Sequence, residues 1–495
     1  MFVELIVLIS IVSVIWSLLN SRFMKNYPPG PSPIFPLIGN IPQLIAYNKG
    51  TMIESFAALK LDYGPLIFIK LGNVTQLLIQ DLELSKECLS SDNWIDRPFD
   101  ELIGDRSFGK SLGIIFSSGN NWREMRRFTT RTLRDFGFGK NKSMESVIDE
   151  EISLLFTKMD HAANSGEALP MRQFFTVSIL NILWSMVAGV RFAHDDGRLK
   201  TLIQLLDETT KNSPVETNIA QMFPVLWNVI KHTPKMKSRS VFHTRLQAFF
   251  RELIQERRES RNPNEEPKDF IDVFLKEIEQ QKDAGVEASY FNEEQFIVTL
   301  YDLFVAGAET TSNTLEFGML YMLLNPIEQQ GVREEIHRVV GKSRRPTMAD
   351  RQQLPYTEAT LLEIQRMASV VPVLVRSANE DTTLSGYNVP KGTVAGLNLF
   401  GIHHSQKTWR DPLNFRPSRF LAGRQLINTN KLLPFGLGKR LCLGEPLAKA
   451  SLFSYFATIM QQYIIMPANG TPSTQPVNGF TLSPRPYSIH LEKIT

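Results

Sequence analysis

Hydrophobic and polar positions follow mainly the period of an amphipathic helix along this chain. Apolar side chains recur at spacings of three and four residues over residues 144–190 and again over residues 292–324, which predicts long helices. Short apolar runs typical of strands stand at residues 65–72, 75–80 and 382–398. The pattern therefore predicts a mainly helical α+β fold with a few small β-sheets.

The N-terminal segment is the most apolar part of the sequence. Residues 2–19 are mostly apolar, a length just sufficient to span the core of a bilayer. Glu4 lies near the start of this run and Arg22 and Lys25 follow it, which favours an uncleaved anchor with a cytosolic body. We predict a transmembrane anchor over residues 1–20, and a peripheral apolar helix remains the alternative.

A proline-rich connector follows the apolar segment. Residues 28–36 contain five prolines, which fix φ and lack a backbone donor, so this part is a stiff extended spacer. The rest of the sequence has no comparable linker, internal repeat or low-complexity block. We predict a basic and proline-rich hinge over residues 21–40 and one large catalytic domain over residues 41–495.

Composition and charge narrow the class of protein. Hydrophobic residues make up 43% and charged residues 21% of the chain, as in a globular protein. The 54 basic and 51 acidic residues nearly balance, so the net charge does not favour nucleic acid as a partner. Two cysteines in a chain of this length, Cys88 and Cys442, indicate a reducing compartment rather than a disulfide framework.

The segment "LPFGLGKRLCLG" places Cys442 directly ahead of an apolar helix with Pro446 near its first turn. A sulfur at a helix N-terminus meets unpaired N–H groups and the helix dipole, which favour a thiolate. Lys439 and Arg440 act in the same direction, and the glycines let the backbone approach a ligand closely. Such a thiolate suits a nucleophile, a redox sensor or a metal ligand, and a plain buried cysteine is also common.

The remaining sequence bears on these alternatives. A cysteine hydrolase needs a histidine base, and the sequence does not place His403, His404 or His490 near the sulfur. A zinc site needs companion ligands at short spacing, and Cys442 has none. A single cysteine ligand suits heme, because the porphyrin supplies the other four donors to the iron.

Cys442 belongs to a string that resembles the heme-binding signature of the cytochrome P450 family: Phe435, Gly438, Arg440, Cys442 and Gly444. Three further motifs stand in the order that this family shows. They are "WREMR" (Trp122 to Arg126), "AGAETT" (Ala306 to Thr311) and "EIQR" (Glu363 to Arg366). With the anchor and hinge, the resemblance covers essentially the whole chain, and the layout is that of microsomal animal members.

The resemblance implies a heme b site whose iron takes Cys442 as axial ligand. Trp122, Arg126, Arg376 and Arg440 would serve the two propionates, which need cationic or N–H donors. The complete set of implied heme-contacting residues is Trp122, Arg126, Ala306, Gly307, Arg376, Phe435, Gly438, Arg440, Cys442 and Gly444. Heme supplied with electrons from NADPH through a reductase is the implied cofactor system.

The "AGAETT" motif puts an acid, Glu309, beside a hydroxyl, Thr310, within an apolar and therefore buried helix. Gly307 allows dioxygen or a flat ligand to approach the backbone, although a packing glycine with capped polar neighbours explains the same residues. The resemblance implies that Glu309 and Thr310 are catalytic and relay protons during oxygen activation.

Glu363 and Arg366 stand three residues apart and can meet on one helix face. Alone, such a pair is most often a surface contact of little energetic value. The resemblance implies instead a buried structural pair joined by Arg419. Ser418 replaces the acid that usually precedes this arginine in the family, and that change would loosen the loop.

The helix around Arg126 is strongly basic, with a row of further arginines at residues 123, 127, 131 and 134. Such a row is either a solvated face or a docking surface for an acidic partner. The family resemblance favours docking of an NADPH-dependent flavoprotein reductase, with cytochrome b5 as a second electron donor. It also implies the endoplasmic reticulum membrane as the location, with the catalytic domain on the cytosolic side.

The implied substrate pocket takes residues 103–116, Ala306 with Gly307, Val373 with Leu374, and Thr481 with Leu482. These are mostly apolar, so a lipophilic small molecule is expected. "RTLRDFGFGKNKSME" is similar to insect members that oxidise sesquiterpenoid hormone precursors such as methyl farnesoate.

The resemblance therefore implies a heme-thiolate monooxygenase that inserts one oxygen atom of O2 into a lipophilic substrate, by hydroxylation or epoxidation. Four alternatives to that function remain open. Two concern the substrate: hydroxylation of steroids or fatty acids, and oxidation of xenobiotics. A thiolate-heme isomerase or dehydratase shares the fold but typically lacks the pair formed by Glu309 and Thr310. The last alternative is a heme- or lipid-binding protein without enzymatic activity.

Overall fold

The computed structural model describes residues 26–35, 37–47, 52–72, 74–139, 141–210, 226–286 and 289–494, together with residues 15, 220 and 223. Apart from residue 15, the predicted anchor over residues 1–20 lies outside these ranges, as does the basic start of the hinge. Within them, no helix is both long and apolar enough to cross a membrane.

Helices account for most of the described chain, as the apolar periodicity predicts. In chain order they are α1 (Ile41–Ala46), α2 (Met52–Tyr63), α3 (Leu82–Ser90), α4 (Glu101–Gly104), α5 (Gly119–Asp135), α6 (Asn141–Ser165), α7 (Thr176–Val187), α8 (Gly197–Thr210), α9 (Trp227–Ile230), α10 (Pro234–Ser260), α11 (Phe270–Asp283), α12 (Glu293–Leu324), α13 (Pro326–Val339), α14 (Pro355–Ala368), α15 (Leu399–His403), α16 (Gln406–Trp409) and α17 (Glu445–Gln462). Short 3-10 turns include Asp105–Ser107, Pro417–Phe420 and Gly438–Arg440.

The strands are short and form small sheets. They are β1 (Leu66–Leu71), β2 (Val74–Ile79), β3 (Leu169–Pro170), β4 (Val373–Ser377), β5 (Thr382–Leu384), β6 (Tyr387–Val389), β7 (Val394–Asn398), β8 (Leu421–Ala422), β9 (Gln425–Leu426), β10 (Tyr463–Pro467) and β11 (Ser488–Lys493). Strands β1-β2-β7-β4 and β10-β11-β3 form sheets in these orders, and β5-β6 and β8-β9 are hairpins. Strand β2 pairs in parallel with β7, and the other pairs are antiparallel. The predicted mainly helical fold with small sheets is confirmed.

One predicted helical region is divided in the structure. The apolar periodicity over residues 144–190 covers both α6 and α7, which are separated by a turn and by β3. Gly166 ends α6 with a φ of +69°, a left-handed conformation that glycine adopts without steric cost. The helical period therefore predicts the elements correctly but misses the break between them.

Helix α12 is the central element of the fold. The Asn292 side chain caps it by accepting the N–H of Gln295 at 3.0 Å, and most of its residues are buried. It packs against α7, α10, α14 and α17, because a helix that is apolar nearly all round must be covered on every side. Within the "AGAETT" segment of this helix Ala308 and Thr311 are buried, whereas Ala306 is exposed.

Candidate active site

The loop that carries Cys442 closes on itself just before α17. The Cys442 N–H donates to the Phe435 carbonyl at 3.0 Å, so the segment forms a compact turn. Gly438 has a φ of +73°, and a side-chain carbon there would lie 2.0 Å from the Leu89 carbonyl oxygen. The glycine is required because this turn packs directly on the backbone of α3.

Cys442 lies two residues ahead of Gly444, the N-cap of α17. Backbone N–H groups of Gly444 and Glu445 and the Arg126 guanidinium lower the pKa of the thiol, but desolvation outweighs them and the net pKa is raised. The start of α17 thus acts on the sulfur in the predicted direction, but in the heme-free chain it does not outweigh desolvation. A coordinated metal deprotonates a thiol outright, so iron would supply what the helix does not.

The structure also bears on the predictions for Cys88 and Lys439. Cys88 is fully buried in α3, and burial raises the pKa of its thiol to about 12, so it is an ordinary apolar side chain. Lys439 does not act on the sulfur: its ammonium pairs with the Asp92 carboxylate at 2.6 Å, and both side chains are mostly exposed.

Four arginines gather beside the Cys442 loop: Arg97, Arg126, Arg376 and Arg440. Desolvation lowers the pKa of each. Mutual repulsion adds to this for Arg97 and Arg440, and the pKa values of Arg376 and Arg440 fall to about 10 and about 9. Buried cations normally have an anionic partner.

None of these four guanidinium groups forms an ion pair with a carboxylate of the described chain. Asp96 raises the pKa of Arg440 only from beyond ion-pair distance, and the Arg97 Nε is buried without an acceptor. The two propionates of heme are the type of anion that such a cluster lacks. The residues present therefore fit heme, with Cys442 as the sulfur ligand beside the cluster.

Arg440 is fixed by its surroundings. Its Nε donates to the Ile95 carbonyl at 2.7 Å and its Nη2 to the Ser117 carbonyl at 2.6 Å. The guanidinium lies 3.8 Å from the ring centroid of the buried Trp122. Trp122 thus supports Arg440, in a cation–π contact that holds the charged group in place.

Ala306 and Thr310 share one face of α12, since they stand four residues apart. The Thr310 hydroxyl donates to the Ala306 carbonyl at 3.0 Å, and the Ala306 side chain is exposed. Glu309 is half-buried, and its Oε2 accepts the Thr481 hydroxyl at 2.7 Å. The acid and the alcohol are thus adjacent and each has a defined hydrogen bond.

Gly307 has a neighbour on its other side. A side-chain carbon at this position would lie 2.7 Å from Cδ2 of Leu183 in α7. The space that a side chain at residue 307 would need is thus occupied by Leu183 of the neighbouring helix. This contact favours a packing role for Gly307.

The predicted Glu363–Arg366–Arg419 group is brought together and buried. Arg366 binds both carboxylate oxygens of Glu363 at 2.8 Å, and the Arg419 Nε donates to Glu363 Oε1 at 2.9 Å. Arg419 also bonds Asp411 Oδ1 at 3.1 Å, and Asp411 accepts from Arg416 at 2.8 Å. Asp411 thus supplies a carboxylate to this loop, although Ser418 has none.

His403 belongs to the same region and does not act as a base for Cys442. Its Nε2 accepts the Leu433 N–H at 3.1 Å, and its Nδ1 contacts the Ser369 hydroxyl at 2.9 Å. Burial lowers its pKa to about 3, so the imidazole is neutral and both ring nitrogens are engaged. The hydrolase interpretation finds no support in this histidine.

Two charged residues of the site escape the motif analysis. Arg97 stands in "WIDRPF" without a motif, and only its position after a buried tryptophan hints at burial. Asp302 is an acid within apolar α12, which does signal a partner. Its carboxylate pairs with Arg106 and accepts the N–H groups of Ile114 and Ile115 at 2.7 and 2.9 Å.

Asp302 therefore ties the predicted pocket segment 103–116 to α12. Arg440 donates to the Ile114 carbonyl of the same segment at 3.4 Å and to the carbonyl of Ser117, which directly follows it, at 2.6 Å. Phe116, between these attachments, is half-buried. The segment predicted to line the substrate pocket is thus fixed to both the central helix and the Cys442 loop.

Comparisons with known proteins give the family of this chain. The family model described as Cytochrome P450 matches residues 28–491. Cytochrome P450 2J1 of Oryctolagus cuniculus is 37% identical over 95% of this chain and 92% of its own length. Cytochrome P450 2J2 of Homo sapiens is 37% identical over 94% and 91%, and farnesoate epoxidase of Bombyx mori is 32% identical over 94% of each chain.

A cysteine beside buried and half-buried arginines that have no carboxylate partner among the described residues fits a heme-thiolate protein, and the match over most of the chain shows the family. The chain belongs to the cytochrome P450 family. The protein is accordingly an oxidoreductase of the monooxygenase type, and the prediction of this enzyme class is confirmed.

Proposed function

We propose that the protein inserts one oxygen atom of O2 into a lipophilic substrate, and that Cys442 would hold the heme iron through its sulfur. The observation that carries this proposal is the cluster of Arg97, Arg126, Arg376 and Arg440, which lacks carboxylate partners and lies beside that cysteine. When bound, heme supplies the iron at which dioxygen is activated. The overall reaction takes substrate, O2, NADPH and one proton to oxygenated product, water and NADP⁺.

Residues of the chain would bind the cofactor and transfer protons. The four arginines would bind the propionates of heme, and Trp122 keeps Arg440 in place through the contact described above. Thr310 presents its hydroxyl on the face of α12 that also bears Ala306. Glu309 holds a proton at its carboxyl and passes it toward Thr310 Oγ1, the neighbouring hydroxyl.

Electrons arrive from NADPH through a flavoprotein reductase that docks on the outer face of α5. Four exposed arginines form this face, at residues 123, 127, 131 and 134. They line a recess of about 590 Å³ that also reaches Trp122 and Arg126. A basic recess beside the cofactor-binding residues favours an acidic partner, and cytochrome b5 is a second candidate donor.

The location follows from the apolar N-terminal segment. Residues 1–20 anchor the protein in the endoplasmic reticulum membrane, and residues 21–40 form the hinge to a cytosolic catalytic domain over 41–495. An apolar anchor beside the body also brings the site close to lipophilic substrates, which concentrate in the bilayer.

A sesquiterpenoid such as methyl farnesoate is the substrate that we favour. The support is the farnesoate epoxidase of Bombyx mori, which is 32% identical over 94% of the chain. The half-buried apolar side chains of Ile114, Ile115 and Phe116 suit a hydrocarbon chain. Steroids, fatty acids and xenobiotics are the competing substrate classes.

Product analysis with purified reductase and NADPH tests this proposal. Equal concentrations of methyl farnesoate, farnesoic acid, a steroid and a fatty acid are incubated separately, and oxygenated products and NADPH consumption are measured. We expect an epoxide or alcohol of the sesquiterpenoids at the highest kcat/KM. Preference for another class would overturn the substrate assignment.

The same assay distinguishes the remaining protein classes. Rearrangement of a peroxide substrate without NADPH would indicate an isomerase or dehydratase. Ligand binding without any product would indicate a heme or lipid carrier. Either result would contradict the monooxygenase reaction proposed for this site.

A further inference from the structure

The contact between Thr481 and Glu309 joins two distant parts of the chain. The Thr481 hydroxyl donates to Glu309 Oε2 at 2.7 Å, across 172 residues of sequence. Glu309 is the acid beside Thr310 in α12, and Thr481 lies in the loop between β10 and β11. The loop that supplies a pocket residue therefore also bonds the acid.

The position of Thr481 is fixed by the loop around it. Val477 and Ser483 pair through both backbone hydrogen bonds, at 2.8 and 3.3 Å, and close the turn. The Leu482 N–H donates to the Val370 carbonyl at 2.7 Å. Since Thr481 itself is buried, its hydroxyl is held in place by backbone contacts and not merely by its bond to Glu309.

Asn313 provides a second link between this loop and α12. Its Nδ2 donates to the Leu482 carbonyl at 3.2 Å and lies 3.5 Å from the Thr481 hydroxyl oxygen. Asn313 stands one helical turn beyond Glu309, so both contacts fall on the same side of α12. The loop is thus attached to the helix at the acid itself.

The tip of the same loop reaches the proposed substrate pocket. Phe480 directly precedes Thr481 and is 58% exposed. Its ring centroid lies 6.4 Å from that of Phe116, which belongs to the segment predicted to line the pocket. An apolar ligand between these rings would therefore press on the residue next to the one that bonds the acid.

We propose that Thr481 is a positioning residue for Glu309: its hydroxyl sets the orientation of the acid and thereby the fraction of O2 reduction that ends in product. This inference rests on the proton-relay role of Glu309 proposed above. Two electrons and two protons per O2 yield one oxygen in the product and one water. When protons are delivered to the wrong place, the same two electrons and two protons reduce O2 to hydrogen peroxide, and no product forms.

A matched pair of substitutions tests the role of the hydroxyl. Thr481→Val keeps the shape but removes the donor, and Thr481→Ser keeps the donor. With reductase and a turned-over substrate, we expect Val to raise the ratio of peroxide to product by about 3- to 10-fold, the value of one hydrogen bond. Serine should restore the ratio to within about 2-fold, and KM should change by less than about 2-fold in both.

Glu309→Gln and the double variant separate this inference from the proposed function. If Glu309→Gln remains fully coupled, the relay role of Glu309 is wrong, and the inference falls with it. If Glu309→Gln is uncoupled but Thr481→Val is not, the relay stands and the positioning role is overturned. We expect the double variant to be no more uncoupled than Glu309→Gln alone, because both changes act through one carboxyl.

A measurement without turnover checks the contact itself. We expect the losses in Tm from Thr481→Val and Glu309→Leu to be non-additive in the corresponding double variant, since each removes the same hydrogen bond. Additive losses would contradict the contact. Thr481→Ala serves as a replacement if the valine variant retains less heme than the wild-type protein.

Discussion

Two groups of buried arginines differ in what neutralises their charge. Arg366 and Arg419 bind Glu363, and every member of that trio is buried. Arg376 and Arg440, by contrast, have lowered pKa values and no carboxylate within ion-pair distance among the described residues. The first group, the closed network of Glu363, Arg366 and Arg419, has its anionic partner within the chain. The second group, the open cluster around Arg376 and Arg440, has none in the part of the chain that the structure describes.

The difference separates a structural ion network from a binding site. Removing one member of a closed buried network leaves uncompensated charge, which costs several kcal/mol. An open cluster of like charges instead destabilises the protein until an anion joins it. The same residue type thus has opposite effects on the fold, and substitutions in the two groups should differ in sign.

Breaking the closed network should have the largest effect. Glu363→Ala leaves Arg366 and Arg419 buried without their carboxylate, and we expect a loss of about 3–5 kcal/mol in the free energy of unfolding. Denaturant titration measures this loss. Glu83→Ala, which removes an exposed partner of Lys86, is the control and should change stability by less than about 1 kcal/mol.

Removing one arginine from the open cluster should have the opposite effect on the stability of the heme-free protein. Arg376→Met removes a buried cation that has no carboxylate partner, so the Tm of the heme-free chain should rise or stay constant. Heme should leave the variant about 10- to 100-fold faster, because one charge-assisted hydrogen bond to a propionate is lost. Transfer of heme to an excess of acceptor protein measures this rate, with the exposed Arg134→Met as control. A heme-free Tm lowered as much as by Glu363→Ala would remove the distinction between the two groups.

The neutral side chain of His403, beside the closed network, should make the stability of the protein depend on pH. Burial lowers the pKa of His403 to about 3, whereas the unfolded chain has an ordinary value near 6.5. The unfolded state therefore binds more protons between these values, and stability falls as pH drops below about 6.5. At pH 5 the contribution is about 2 kcal/mol. Comparing the wild type with His403→Gln by denaturant titration at pH 7 and pH 5 should show a smaller acid-induced loss in the variant; equal losses would contradict the assignment.

Exposed arginines form a third group, and their substitution should have the smallest effect on stability. Arg131 lies on the outer face of α5 and is well solvated, so Arg131→Glu should leave Tm nearly unchanged. If this face docks the reductase, KM for reductase should rise by a few-fold at low salt and converge with the wild-type value at high salt. The matched control is Arg251→Glu on the exposed side of α10; an identical effect of both substitutions would argue against a docking face.

The sequence predicts the closed network and most of the site because both are marked by short motifs. Glu363 and Arg366 share one helix, so their spacing alone brings them together. Arg97 belongs to the open cluster but stands in no motif, and its place depends on the packing of a loop against β4. Likewise, Thr481 meets Glu309 only through tertiary structure, since 172 residues separate them.

Periodicity predicts long elements better than short ones. The central helix α12 spans 32 residues, so its apolar pattern is unmistakable, and strands β1 and β2 fall on the predicted runs. Strands β4 and β10 are five residues each, too short for a pattern to distinguish from a buried loop. The sequence predicts the helix start beside Cys442 but not the desolvation of its sulfur, because desolvation depends on tertiary packing that spacing does not reveal.

The reduced carbon monoxide spectrum of Cys442→Ala tests most directly whether this cysteine and the open arginine cluster form a heme-thiolate site. The variant is compared with the wild type and with Cys88→Ala, at matched heme content and with circular dichroism as a check of folding. We predict that Cys442→Ala loses the thiolate-type Soret band while Cys88→Ala retains it. An unchanged thiolate band in Cys442→Ala would contradict the account.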